Sequence, residues 1–426
     1  MRFPSKLPRG AAAAIHRCLL GGIAAWLALG LPAAHAEDDA PPAAPKETAR
    51  SEVGLPLQAA QKLIADKKFK EALAKVKEAE AIPNRSAYEN YLIESMRASA
   101  AVGAGDDETA LPALEWLINS GRLPAQQQLK FMQALAGSYF KAKNYPKSAG
   151  WAARYVKEGG TEPSMQDILF ASYYFNNDFK AASSELHASF EADDKAGRAP
   201  SETRLQMALN ADQKIGNSAG VGTDLEKLLE SYPQKQYWEI AVSRAAHRSG
   251  AERLELDLLR LEFALGSLHK EGDYMELAQL AMEAGFPTEA KKVLDQGFAS
   301  GVLGKGAEAD RQKRLLAKAA KDSADDAKTL GAGDIDAEKA KSGDGMVNTG
   351  YNYVINGKAE HGLPLMEQGI KKGGLRHPDD AKLHLGIAYN LAGDKAHAVQ
   401  VLRSVQGSDG TADIAHLWAV FIAGKR

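Results

Sequence analysis

Few strings in this chain have the residue types and spacing for chemistry, and each has a plainer explanation. Gly216-Asn217-Ser218-Ala219-Gly220 is a literal G-x-S-x-G, the string that presents a nucleophilic serine in hydrolases. That chemistry needs a strand, a strained turn and a helix, with a histidine and an acid brought in from elsewhere. Here the string lies between two stretches of helical apolar spacing, and Gly, Asn and Ser are ordinary turn residues. Gly301, Gly304 and Gly306 resemble a phosphate loop, but Gly306 and Ala307 follow Lys305 where a Ser or Thr is needed. The ten histidines include no H-E-x-x-H and no carboxylate–histidine set at ligand spacing. Asp334 and Asp336 lack the other ligands and the turn glycine of a calcium loop. The chain is therefore expected to have no catalytic residues, no metal and no cofactor. A hydrolase has only the Gly216–Gly220 string behind it.

The stronger pattern is a repeat. Gly350, Tyr353, Gly357 and His361 recur 36 residues later as Gly386, Tyr389, Gly393 and His397. A period of this size marks helix-turn-helix units that bury their apolar faces only by stacking. Going backwards, small or apolar anchors fall at positions 136, 170, 209, 243 and 278, before 350 and 386. The first clear unit holds Leu63, Phe69, Ala72, Val76 and Ala79, and residues 86–122 hold a poorer copy. No stretch alternates as a strand would. The pattern predicts an all-α solenoid of roughly nine to ten helix pairs, closed by a capping helix bearing Leu417, Trp418, Phe421 and Ile422. Residues 53–306 form the N-terminal repeats and 344–426 the C-terminal repeats and cap. Between them, 307–343 is a degenerate unit, with one helix and then a polar, mobile stretch around Gly331 to Gly345.

Arg2, Lys6, Arg9 and Arg17 precede an uncharged apolar run, Cys18 to Leu31, and Ala34-His35-Ala36 follows. That order predicts a secretory signal peptide over 1–36, cleaved after Ala36, and a periplasmic protein. Removing it takes away the only cysteine and leaves 49 basic against 55 acidic residues. The mild acidity argues against a nucleic-acid partner. No other apolar run is long enough to cross a membrane. Residues 37–52, rich in Pro, Ala and charge, read as a flexible linker.

Leu385-Gly386-x-x-Tyr389, Gly393-Asp394 and Ala398 closely resemble the tetratricopeptide-repeat (TPR) superfamily over most of residues 55–412. Tyr237-Trp238, Tyr274-x-x-Leu277-Ala278-Gln279-Leu280 and Gly285-x-Pro287-x-x-Ala290 resemble exported proteobacterial TPR proteins assigned to TonB systems, which act beside an energy-transducing inner-membrane complex. The superfamily resemblance implies a concave groove. Its lining would include Phe140, Lys141, Tyr174, Phe175, Arg244, His247, Arg248, Tyr351, Ile387 and Asn390. Gln133 and Asp167 stand where the carboxylate clamp of chaperone-binding TPR domains needs Lys or Asn. The expected function is a non-enzymatic scaffold gripping a protein partner in the cell envelope. The alternative is a glycan-associated protein of exopolysaccharide or cell-wall machinery, with Tyr174 and Tyr351 stacking on sugars.

Overall fold

The structure is a computed structural model and describes residues 47–407 and 409–424. The signal-peptide segment 1–36 and residues 37–46 of the linker lie outside the described residues. Within them the chain is twenty α-helices and one 3₁₀ turn, without a strand. No described helix is long and apolar enough to cross a membrane. The helices form two compact units, divided at Asn217 and Ser218, so that 307–343 lies inside the second unit.

The first unit contains α1 (Ser51–Ala65), α2 (Phe69–Glu80), α3 (Ala87–Ala104), α4 (Asp107–Asn119), α5 (Ala125–Lys141), α6 (Tyr145–Lys157), α7 (Pro163–Phe175), α8 (Phe179–Lys195) and α9 (Glu202–Ile215). Three hairpin turns here share one chemistry. A residue with positive φ stops the first helix, and an Asp or Asn directly after it caps the second. Gly105-Asp106, Lys143-Asn144 and Asn177-Asp178 all do this, with φ of 69°, 59° and 61° at the first residue. The capping side chains accept from the amides of Thr109, Lys147 and Ala181. Small residues let the helices approach: Ser148 Oγ donates to the Ala136 carbonyl at 2.9 Å, and Ser172 Oγ to Ser148 Oγ at 2.8 Å. Leu114, Leu117, Met132, Leu135, Met165 and Ile168 fill the core of α3–α7.

The end of the expected flexible linker is tied down. Arg122 pairs with Glu47, and Arg50 binds the buried Glu89 carboxylate through Nε at 2.9 Å and Nη2 at 3.0 Å. Residues 47–50 therefore belong to the fold, and α1 begins at Ser51.

The second unit contains α10 (Ser218–Ser231), α11 (Lys235–Ala246), the 3₁₀ turn Ala251–Leu254, α12 (Glu255–Leu265), α13 (Glu271–Glu283), α14 (Pro287–Ala299), α15 (Ala309–Lys339), α16 (Asp344–Ile355), α17 (Ala359–Lys372), α18 (Pro378–Leu391), α19 (Lys395–Arg403) and α20 (Thr411–Gly424). The 36-residue period is a repeated contact. Gly350 lies against Met366, and Gly386 against Leu402, both large side chains being fully buried. Tyr353 meets His361 edge-on at 4.4 Å, and Tyr389 stacks on His397 at 5.4 Å. The two recurring histidines are thus packing partners of the recurring tyrosines. Each Tyr hydroxyl also donates to a carboxylate on an earlier helix, Asp334 for Tyr353 and Glu367 for Tyr389. Burial, then that hydrogen bond, pushes both phenols up to about 12.

Two features of this unit differ from the sequence expectation. The segment from Gly331 is helical: α15 runs unbroken for 31 residues to Lys339. Leu330 and Ala337 are held in a cluster with Met346, Tyr353 and Leu365, so tertiary contacts carry the helix past Gly331 and Gly333. The last helix, α20, packs on α18 and α19 as a cap should, and it also packs on α10, α11 and α12. The unit thus closes on itself, with Ile414, Ala415, Trp418, Val420 and Ile422 all buried.

Candidate protein-binding surface

The expected groove residues fall into three groups. Phe140, Lys141, Tyr174 and Phe175 come together at the α5 and α7 termini of the first unit. Phe140 meets Phe175 edge-on at 6.1 Å and Tyr145 at 5.5 Å; Tyr145 stacks on Phe175 at 5.5 Å with the rings 28° apart. Tyr174 continues the row edge-on to Phe175 and Phe179, each at 5.6 Å. All five rings are half-buried, and Lys141, Lys143 and Lys180 beside them are exposed. Tyr174 Oη donates to Asn210 Oδ1 at 2.8 Å, which fixes that ring.

The row follows from the hairpin geometry. Phe140 and Phe175 lie at the ends of first helices; Tyr145 and Phe179 start the second helices after turns of three residues. Each turn brings one residue of each kind to the same edge. Sequence reading found the residues ending the first helices but not Tyr145 or Phe179. The detectable signal was an aromatic directly after the Asn144 and Asp178 caps.

The second group is engaged within the second unit. Arg244 Nη1 donates to Asp413 Oδ1 at 2.8 Å and Arg248 Nε to Asp413 Oδ2 at 2.6 Å, so α20 occupies both guanidinium groups. Burial works to raise the Asp413 carboxyl, but the two arginines hold it below the ordinary range. His247 is exposed, with Nδ1 2.7 Å from the Ser243 carbonyl. Asn390 is half-buried.

The third group is a correction. Tyr351 and Ile387 are each only 2% exposed and cannot line a groove. Both follow the small anchor residue directly, a position that here faces neighbouring helices. Tyr351 lies 5.0 Å from the Phe286 ring, and the Arg260 guanidinium sits 4.9 Å over its face. Arg260 is itself buried. It binds Glu289 through Nε at 2.8 Å and Nη2 at 2.6 Å, and Asp257 through Nη1 at 2.8 Å. His384 Nε2 stands 3.0 Å from the same Asp257 carboxylate. Burial opposes charge on Asp257, but His384 and Arg260 outweigh it and hold the carboxyl far below its ordinary range. This enclosed network joins α12, α14, α16 and α18.

The Gly216–Gly220 string lies in a helix turn. Gly216, at φ 71°, caps the C-terminus of α9, and Ser218 opens α10. Ser218 Oγ has the guanidinium groups of Arg244 at 3.3 Å and Arg248 at 3.4 Å beside it. Guanidinium groups donate and cannot take a proton, so neither serves as a base.

Comparisons with known proteins return distant solved structures. No family model matches the chain, and no curated protein does. Among solved structures, the crystal structure of the P58(IPK) TPR domain aligns at TM-score 0.22 and 14% identity, covering 88% of this chain and 99% of that one. The structure of Naa15/Naa10 bound to HypK-THB aligns at TM-score 0.28 and 14% identity, covering 83% of this chain and 58% of that one. The chain is an all-α, TPR-like array by its own helix pairing: small residues at 350 and 386 under Met366 and Leu402, and hairpins turned by a positive-φ residue.

Proposed function

We propose that this chain is a non-enzymatic scaffold that holds a protein partner, with the aromatic row of the first unit as its contact surface. The observation that carries the reading is the half-buried run of Phe140, Tyr145, Phe175, Tyr174 and Phe179, edged by exposed lysines. Ring-on-ring packing holds these side chains still before binding, so contact area is gained at little entropic cost. The leader-like residues 1–36 support an exported protein working in the periplasm. The TonB-system resemblance of residues 237–290 suggests an energy-transducing envelope complex as the partner.

The test is in-cell photocrosslinking from position 145, with mass spectrometry of what is captured. Inner-membrane energiser or TonB-like subunits are the expected products, lost on Phe175→Ala. Polysaccharide-export or cell-wall enzymes would move the protein to the glycan reading. That reading has already lost one of its two sugar-stacking residues, because Tyr351 is enclosed by Phe286 and Arg260. Capture of cytosolic proteins alone would refute the envelope assignment.

A further inference from the structure

The second unit carries a different opening, inside one hairpin rather than along the row of first helices. Elsewhere in this unit the hairpin turns span three residues: 284–286, 356–358 and 392–394. Between α11 and α12 the chain takes eight residues, 247–254, including Gly250 at φ 88° and the 3₁₀ turn. The two helices touch each other less closely than those of the other hairpins in this unit. The space between them is a cleft of about 870 Å³.

Its floor is apolar, with Trp238, Val242, Leu258, Leu259 and Leu265. The floor is firm: Val242, Leu258 and Leu259 are at most 8% exposed, and Trp238 is braced edge-on by Phe421 of α20 at 6.4 Å. Its rim is acidic. Glu239, Glu252, Glu255 and Glu262 line it with one lysine, Lys235, which lies 3.7 Å from Glu239, and with His269. Glu276 and Asp273 on α13 add to the same charge. Burial and then Asp273 raise the Glu262 carboxyl, and burial and then Glu255 raise that of Glu276. Like charges are crowded here without cations to match, a field that an incoming cation would relieve.

We propose that this cleft binds a cationic amphipathic helix of a partner protein, its apolar side on the Trp238–Leu259 floor and its Lys or Arg side on the glutamate rim. Two flanking helices with an apolar floor suit the helix-in-groove mode, whose anchors recur at i, i+3, i+4 and i+7. Charge complementarity selects a basic segment: an acidic helix would place like charges against four carboxylates, and an uncharged one would leave them unrelieved. The proposal does not depend on the aromatic row, which lies in the other unit.

The test uses a fluorescein-labelled 18-residue peptide of leucine and lysine with leucines at helical spacing. Controls are its leucine–glutamate twin and a scrambled leucine–lysine peptide. Anisotropy should show saturable binding of the first, about tenfold or more weaker for E239K/E252K, and weaker again with added salt. Both substituted residues are exposed, so the variant should fold, and its circular dichroism should match the parent. Hydrogen exchange with the peptide bound should show protection in 235–269. Equal binding of the glutamate twin or the scrambled peptide would overturn the proposal. So would unchanged affinity in the charge-reversed protein, or protection confined to residues outside the cleft.

Discussion

Gly350 on α16 and Gly362 on α17 stand backbone to backbone. A Cβ on Gly350 would lie 2.6 Å from the Gly362 carbonyl oxygen, and one on Gly362 would lie closer still to the Gly350 oxygen. Gly343 and Gly369 repeat the relationship one heptad away, with a Cβ on Gly369 2.8 Å from the Gly343 oxygen. Two pairs of glycines, seven apart on each arm, make this the tightest hairpin of the second unit.

Alanine at Gly350 or Gly362 should therefore force the helices apart, costing about 1–3 kcal/mol or more. The contrast is Gly331 in α15, where an added Cβ meets nothing within 4 Å. Gly331→Ala should stabilise by about 0.5–1 kcal/mol through helix propensity. Urea unfolding of the three variants checks both signs, and loss of stability at Gly331 would contradict the continuous α15.

Lys143 sits at φ 59° in the α5–α6 turn, where the homologous position at Gly393 is glycine at φ 88°. A side chain in that conformation is strained by about 1 kcal/mol. Lys143→Gly should raise stability by somewhat less, since glycine also loosens the unfolded chain. Its Tm should rise by a degree or two, and a fall would mean the turn is held by something other than backbone conformation.

Removing one member of the enclosed ionic network should be costly. Arg260→Leu leaves Glu289 without its guanidinium and Asp257 with His384 alone, and breaking such a buried pair costs about 3–5 kcal/mol. Tyr351→Phe should do the opposite. The Tyr351 hydroxyl is buried with no hydrogen-bond partner among the described residues, and burial pushes its phenol far up. Removing the hydroxyl should be neutral or stabilising by about 1 kcal/mol. Denaturation midpoints separate the two cases.

Glu89 gives the first unit a defined acid response. Its carboxylate accepts from the Arg50 guanidinium and from the Arg50 and Ser86 amides, at 2.8–3.0 Å. The Arg50 guanidinium above all, with those amides, holds the carboxyl at about 2 against an ordinary 4.5. The folded value is the lower one, so the stabilisation is complete above about pH 5 and drains away as pH falls from there towards 2. The stability gap between the parent and Glu89→Gln should narrow over that window in pH-dependent urea titrations. A constant gap would show that Arg50 does not carry the effect.

Ser218 should be inert. With two arginines beside its hydroxyl and no base in that pair, it should not be labelled by a fluorophosphonate probe; covalent labelling abolished in Ser218→Ala would reinstate the hydrolase.

The repeat was legible because its signals are local. Gly386 and Leu402 lie 16 residues apart, and a small residue followed by a large one at that spacing recurs at Gly350 and Met366. The hairpin caps are equally local, a positive-φ residue beside an Asp or Asn. Tyr145 and Phe179 were missed as surface residues because a ring at a helix start reads as repeat grammar. Arg244 and Arg248 were legible as groove-facing by repeat position, but Asp413 is more than 160 residues away from either. Nothing near α11 marks the arrival of α20. Tyr351 failed for the same reason: Arg260, which covers its ring, comes from α12.

The return of α20 to α10, α11 and α12 bears on how this chain can evolve and unfold. An open row of repeats gains or loses units at its ends and can fray from them one at a time. In the second unit the end is locked to the beginning through contacts far apart in the chain. Its repeat number is fixed by ring closure, like staves in a hooped cask. Inserting or deleting a hairpin between α13 and α19 would break the hoop rather than lengthen the wall.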